Sequence, residues 1–127
     1  MGNLKPLVWV GSSKKDLGSF PSDVEDDIGF NLYEAQQGRM PGDAKVMRGY
    51  GGASVLEIVS NFDTDTFRAV YTVEFEEAIY VLHCFQKKSK RGTETPKLEL
   101  DMIDRRLSVA REEHEKWQKQ NSTKKTK

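Results

Sequence analysis

An alternating stretch in the middle of the chain constrains the fold most strongly. Every second position there is apolar, and the positions between are mostly polar. The apolar set is Phe67, Ala69, Tyr71, Val73 and Phe75, and the other set is Arg68, Val70, Thr72 and Glu74. Because successive side chains of a β-strand point to opposite faces, this pattern predicts a strand with one apolar and one mixed face. Apolar segments at 55–62 and 78–86 flank it, separated by short polar connections that are typical of turns. The three segments together predict an antiparallel meander.

Helical periodicity precedes and follows the meander. A short apolar strand at 7–10 and a helical turn near 13–19 come first, and a helix from Ser22 to Gly38 follows, with an acidic first turn. A loop at 39–52 with a short strand near 45–47 leads into the meander. Pro96 opens the last helix, whose apolar stripe comprises Leu100, Ile103, Leu107, Ala110, His114 and Trp117. Strands kept apart from helices predict the α+β class.

The length and composition indicate one domain. A chain of 127 residues suits a single core, which we predict over 1–120, with a disordered basic tail at 121–127. The one cysteine, Cys84, excludes an internal disulfide, and its apolar strand favours a core position. No apolar run approaches bilayer length, so the chain is predicted to be cytoplasmic. His83, His114 and Cys84 lack a metal-binding spacing, and no phosphate-loop or dinucleotide motif is present, so neither a metal nor a small-molecule cofactor is expected.

Charge is distributed unevenly although the formal net charge is zero. From Lys87 onward there are thirteen Lys and Arg against seven Asp and Glu, and the preceding part carries the opposite excess. Such asymmetry is typical of a basic surface that attracts phosphate. A solvated charged helix followed by a frayed tail would produce the same count.

The candidate functional residues are cations on or beside the predicted sheet. Arg68 lies on the mixed face of the central strand, and the others are Lys45, Arg48, Lys87, Lys88, Lys90 and Arg91. A strand arginine is often only an ion-pair partner, and a lysine cluster after a strand is often a solvated turn. Composition and spacing leave these alternatives open.

Several segments resemble the phage-derived HigB-like family of the RelE/ParE toxin superfamily, over nearly the whole chain to about Ala110. The most specific is Phe85-Gln86-Lys87-Lys88 followed by Thr95-Pro96 at the start of a helix. The others agree in order and spacing, and include Lys5-Pro6-Leu7-Val8-Trp9, Lys45-Val46-Met47-Arg48-Gly49-Tyr50, Val55-Leu56-Glu57-Ile58 and Phe67-Arg68-Ala69-Val70-Tyr71.

The resemblance implies a RelE/ParE-like fold and a type II toxin–antitoxin partnership with a DNA-binding helix-turn-helix antitoxin. The implied activity is metal-independent cleavage of messenger RNA on the translating ribosome. By position, Arg68 matches the strand arginine that faces the scissile phosphate. Lys87 and Lys88 match cations at the end of the last strand, and Lys45 a basic residue on the facing strand. Arg48, Lys90 and Arg91 are expected to bind RNA.

Such cleavage by a neighbouring 2′-hydroxyl needs a base, stabilisation of the charged phosphorane and an acid for the leaving oxygen. Guanidinium and ammonium groups supply the stabilisation. A lysine acts as a base only if its pKa falls well below its ordinary value of about 10.4. His83 is the alternative general base, but its face cannot be assigned from strand parity, and a satisfied, partly buried histidine fits equally. The proton-transfer residue stays open.

Two other functions use the same scaffold. ParE-type relatives inhibit DNA gyrase by protein binding, and a phage-derived module without toxicity would simply bind a partner. Fold alone does not separate them. Convergence of Arg68, Lys87 and Lys45 on one patch would favour RNA cleavage, and scattered cations would favour a binding module.

Overall fold

The computed structural model of the chain describes residues 4–87 and 95–125, with side chains to residue 121. The elements are β1 (Leu7–Trp9), α1 (Ser13–Gly18), α2 (Ser22–Gln36), β2 (Ala44–Val46), β3 (Val55–Phe62), β4 (Asp65–Thr72), β5 (Ile79–Lys87) and α3 (Lys97–Lys125). Each predicted element is present within a few residues, and the mixed α+β class is confirmed.

The five strands form one sheet in the order β1-β5-β4-β3-β2. β3, β4 and β5 are antiparallel neighbours, which confirms the predicted meander. β2 adds antiparallel to β3, and β1 adds parallel to β5 with Leu7 beside Ile79. β4 ends at Thr72 rather than continuing to Phe75, because Phe75 leaves the ladder and packs on Tyr80 and His114.

Helices cover both faces of the sheet and divide the core into two apolar clusters. α1 and α2 pack on one face, where the fully buried side chains include Val24, Ile28, Leu32, Ile58, Tyr71 and Val81. α3 packs on the other face, where the cluster includes Val55, Val70, Leu82, Phe85, Ile103 and Leu107. The α3 face also carries Arg68, because Arg68 alternates with the α2-facing Phe67 and Ala69.

A β-bulge in β5 changes which face its later residues occupy. Tyr71 pairs with Val81, but Val70 pairs with His83, so Leu82 is one extra residue on this strand. Leu82 belongs to the α3-facing cluster, and His83 pairs with α3-facing Val70. A bulge of this kind re-aims the side chains that follow it. His83, Phe85 and Lys87 therefore share the α3 face, whereas Val81, of the same parity, does not.

Arg106 of α3 fastens the β1–α1 turn to β5. Its guanidinium donates to the Leu82 carbonyl at 3.0 Å and to the Ser12 hydroxyl at 3.0 Å. Gly11 lies against the same side chain with a left-handed φ of +57°, and an added Cβ would stand 2.8 Å from Arg106 Nε. The left-handed backbone therefore favours glycine in this turn, and an added Cβ would also require the Arg106 side chain to shift.

The C-terminal helix is held to the meander by two carboxylates that follow β4. Arg111 makes a two-point contact with Glu74 at 2.8 Å for each hydrogen bond, and His114 contacts Glu77 at 2.8 Å. The helix backbone continues to Lys125, five residues beyond the end expected from composition, because its polar residues are compatible with helix. Residues 126–127 of the predicted tail lie outside the described residues.

We predict that Gly11→Ala lowers the free energy of unfolding by about 1–3 kcal/mol, since the strained backbone and the displaced Arg106 both oppose it. Gly18→Ala is the matched control, because a Cβ there meets nothing within 4 Å and φ is ordinary. Urea denaturation of the two variants measures the difference. Equal stability of the two variants would contradict the role given to Gly11.

We also predict that acid lowers the stability of the chain by weakening the contact between Arg111 of α3 and Glu74, which follows β4. Hydrogen bonding from Arg111 lowers the pKa of the Glu74 carboxyl from its ordinary value of 4.5. A lowered pKa stabilises the folded chain fully above pH 4.5, and that contribution is lost as the pH falls through the folded-state value.

Urea unfolding measured at a series of pH values from neutral to acid tests this expectation. Glu74→Gln should lower stability at neutral pH and flatten the acid-side decline, whereas Glu76→Gln, which changes a neighbouring exposed carboxylate, should leave the decline in place. An identical decline in wild type and Glu74→Gln would remove Glu74 from the explanation.

Candidate functional site

A group of ionic side chains lies on the α3 face of the sheet and spans β2, β3 and β4. Lys45 is the register partner of Glu57, so the two side chains share that face. Glu57 pairs in turn with Val70, which places Arg68 diagonally across from it. Diagonal neighbours in a sheet are close enough for long side chains to meet. We call Lys45, Glu57 and Arg68 the ionic cluster.

Glu57 is the centre of the ionic cluster. Its Oε1 accepts a hydrogen bond from Arg68 Nη1 at 2.8 Å and lies 3.8 Å from Lys45 Nζ. Its Oε2 accepts a bond from the Thr95 hydroxyl at 3.3 Å, just before α3 begins. Glu57 and Arg68 are only 2% and 5% exposed. Since charges this deeply buried are costly unless paired, the contacts compensate one another.

Arg68 keeps part of its hydrogen-bonding capacity. Its Nε is buried and has no hydrogen-bond partner among the residues that the structure describes. The guanidinium therefore holds Glu57 through Nη1 while another donor is available to an incoming acceptor. Reaching that donor requires movement of the groups that shield it from solvent.

An open pocket of about 660 Å³ adjoins the ionic cluster. Its lining includes the predicted cations Lys45 and Arg48, together with Glu57, Thr95 and Leu100. The side chain of Lys45 is 54% exposed, so it connects the buried pair to solvent. The pocket thus has cations at its rim and a buried carboxylate at its base.

Lys87 shares the α3 face with Arg68 but enters from the next strand. It pairs with Thr66, which sets it diagonally across from Arg68 at a spacing of about 7–8 Å between backbones. Its side chain is buried. Three other predicted cations, Lys88, Lys90 and Arg91, lie outside the described residues. The described part of the chain therefore brings Lys45, Arg48, Arg68 and Lys87 to one face.

His83 reaches this face through the β5 bulge, and both of its ring nitrogens are engaged. Nε2 lies 2.7 Å from a Glu99 carboxylate oxygen, and Nδ1 lies 3.3 Å from Nη1 of Arg106. The ring also stacks on Phe85 at a centroid distance of 4.9 Å. These contacts favour a structural role for His83, as a partly buried ring whose hydrogen-bonding groups have partners, over the role of a general base.

Two other side chains that could carry chemistry, Cys84 and His114, are buried and packed against their neighbours. Cys84 is buried among apolar side chains, and burial raises the pKa of its thiol to about 12. A thiol with so high a pKa stays protonated and is a poor nucleophile near neutral pH. His114 stacks between Phe75 and Trp117, as the helical stripe predicted. Across 4–87 and 95–125 no group of three or more potential metal ligands is present.

Glu57 was not among the site residues predicted from the sequence, although the sequence contains a signal for it. Glu57 interrupts the apolar run Val55-Leu56-Glu57-Ile58, and carboxylates are almost never fully buried without a partner. Such an isolated charge implies a cation on a neighbouring strand. Thr95 and Glu99 carried no comparable signal, because their contacts depend on how α3 docks.

We predict that Glu57→Leu lowers the free energy of unfolding by about 3–5 kcal/mol, since it leaves the buried Arg68 guanidinium without its carboxylate. The double variant Glu57→Leu, Arg68→Met should recover most of the loss. Lys45→Met is the control and should cost about 0–1 kcal/mol, because Lys45 is half exposed. Urea denaturation of the wild type, Glu57→Leu, Arg68→Met and the double variant gives the coupling energy. Additive effects of the two buried substitutions would contradict a coupled pair.

Comparison with known proteins gives a family and a distant structural likeness. The toxin–antitoxin complex RelBE2 from Mycobacterium tuberculosis superimposes with a TM-score of 0.45 and 14% identity, covering 70% of this chain and 98% of that one. No curated protein matches the sequence at a significant level. No helix in the described part of the chain is both long and apolar enough to cross a membrane. The family described as "Phage derived protein Gp49-like (DUF891)" matches residues 15–108, and the chain belongs to this Gp49-like phage-derived family.

Proposed function

We propose that this protein is the toxin of a type II toxin–antitoxin system and cleaves messenger RNA on the ribosome. The observation that carries the proposal is the convergence of Lys45 and Arg68 on Glu57, beside a pocket that Arg48 also lines. Membership of a phage-derived family and the resemblance to HigB-like toxins support the same conclusion. The proposed partner is a helix-turn-helix antitoxin.

The cations of the site suit the charge that develops during phosphodiester cleavage. Attack by the 2′-hydroxyl on the adjacent phosphorus, with loss of its proton to a base, forms a phosphorane with additional negative charge, and the 5′-oxygen then leaves and takes a proton from water. Arg68 offers a planar guanidinium and Lys45 an exposed ammonium on the same face. Cationic donors aimed at the phosphate stabilise a developing oxyanion, and Arg68 could do so once the groups that shield it have moved. Lys87 is the third cation that we assign to this task.

Glu57 is our candidate for the base that takes the 2′-hydroxyl proton. A carboxylate held between two cations is oriented, and it lies at the base of the pocket where the phosphate would bind. Geometry comes before pKa in choosing a general base. We therefore prefer Glu57 to a lysine for the proton-transfer role that the sequence left open, and binding of the phosphate to Arg68 would release the carboxylate for this role.

A second function is favoured by one specific observation. Glu57 already neutralises Arg68, and both side chains are nearly inaccessible to solvent. A pair of this kind also serves to fix the sheet, which is what a module that only binds a protein target such as DNA gyrase would need. The two functions differ in whether the cations act on RNA.

We predict that controlled expression of the wild type in bacteria arrests growth and produces new messenger RNA 5′ ends. The Arg68→Ala, Lys87→Ala double variant should abolish both effects, since loss of one oxyanion donor alone typically costs about 10²–10³ in rate. Because Arg68→Ala removes the nearest cation from the buried Glu57 carboxylate, Lys45→Met supplies a folded variant that should reduce cleavage. Lys116→Ala, on the exposed surface of α3, is the matched control.

Mapping of the 5′ ends by sequencing separates the functions. In-frame cleavage that Lys45→Met reduces and Lys116→Ala leaves intact supports the ribosome-associated nuclease. Growth arrest without new 5′ ends would overturn the nuclease and move the target to a protein. The absence of any arrest would overturn the toxin proposal and leave a binding module.

A further inference from the structure

An apolar groove runs along α2 on the side of the sheet opposite to the ionic cluster. It has a volume of about 650 Å³ and lies between α2, the edge strand β1 and α1. The side chains of Phe30 and Tyr33 on its rim are 61% and 45% exposed. The apolar residues that line it are Leu7, Trp9, Leu17, Phe30, Leu32 and Tyr33. Contiguous exposed aromatic surface of this kind marks an interaction site.

The electrostatics of the groove are one-sided. α2 contains five acidic residues and no basic one, as its sequence SDVEDDIGFNLYEAQ shows. Two of the acidic residues, Glu25 and Asp26, line the groove itself, and no Lys or Arg among the described residues does. A complementary ligand therefore carries apolar side chains flanked by positive charge.

Gly29 lies in the middle of α2, on the wall of the groove. A helix-interior glycine costs about 1 kcal/mol relative to alanine. Nothing inside the described chain requires it, because an added Cβ would meet no atom within 4 Å and its φ is not left-handed. The missing side chain leaves the α2 backbone open to close approach from outside.

We propose that the α2 groove receives a cationic amphipathic helix from a partner protein. Apolar side chains at spacings of three and four would pack on Phe30 and Tyr33, and flanking Lys or Arg would pair with Glu25 and Asp26. The partner helix would approach closest at Gly29. We favour a helix over an added strand because β1, the neighbouring edge, has only three residues. The inference rests on the proposed function in one respect: if the chain is a toxin, the partner is its antitoxin.

Two synthetic peptides of about 20 residues test the proposal, a length at which helices become stable enough to measure. Both carry leucines at helical spacing, and the remaining positions are lysine in one and glutamate in the other. Fluorescence anisotropy on the full chain should show the lysine peptide binding at least about tenfold more tightly than the glutamate peptide.

Substitutions in the groove locate the binding. Glu25→Lys with Asp26→Lys should reverse the preference, so that the glutamate peptide binds and the lysine peptide does not. Asp23→Lys with Asp27→Lys, an equal change of charge on the same helix outside the groove, should keep the original preference. Gly29→Leu should weaken binding of the lysine peptide by about tenfold or more. The variant should stay folded, since the substitution removes a helix-interior glycine.

The remaining outcomes overturn the proposal. Equal binding of both peptides would indicate a merely apolar surface, and unchanged binding in Gly29→Leu would place the peptide elsewhere. Self-association in sedimentation that Gly29→Leu abolishes would identify a second copy of the chain as the occupant. Messenger RNA cleavage by free Gly29→Leu should equal that of the wild type, so the groove and the proposed nuclease site can fail separately.

Discussion

The buried carboxylate of Glu57 is the constraint on which the α3 face of the sheet depends. A charge at this depth is tolerated only with partners, so β4 has to present Arg68 and β2 has to present Lys45 in one register. Thr95 adds a contact from the start of α3, which ties the docking of the last helix to the same carboxylate. One side chain thereby links β2, β3 and β4 with the segment that leads into α3, and the pocket lies beside these contacts.

Period-two alternation in β4 and the helical stripes of α2 and α3 were sufficient to predict the meander, the order of elements and most of the core. The phage-derived origin implied by the resemblance is confirmed by the family match. Alternation could not reveal the bulge at Leu82, because an inserted residue leaves the local composition unchanged. The face of His83 therefore became known only from the register. The contacts of Thr95 and Glu99 were also hidden, since they depend on the angle at which α3 crosses the sheet.

The sheet separates two surfaces of opposite character. The α3 face gathers Lys45, Arg48, Arg68 and Lys87 around one carboxylate, and the α2 face presents an acidic helix with exposed aromatic rings. The formal net charge of zero therefore conceals these two local concentrations of charge. A polyanion and a cationic protein segment can engage the chain without competing for the same residues.

The parallel pairing of β1 with β5 has a consequence for synthesis of the chain. β1 is translated first, but its partner in the sheet is the last strand, so the sheet stays open until β5 has left the ribosome. Pairing between segments so far apart in sequence is slow compared with local hairpin formation. α3 follows later still, and with it Thr95. Glu57 consequently gains its contact with Thr95 only after Lys45, Glu57 and Arg68 have all been synthesised, and a nascent chain carries the ionic cluster before α3 can cover it.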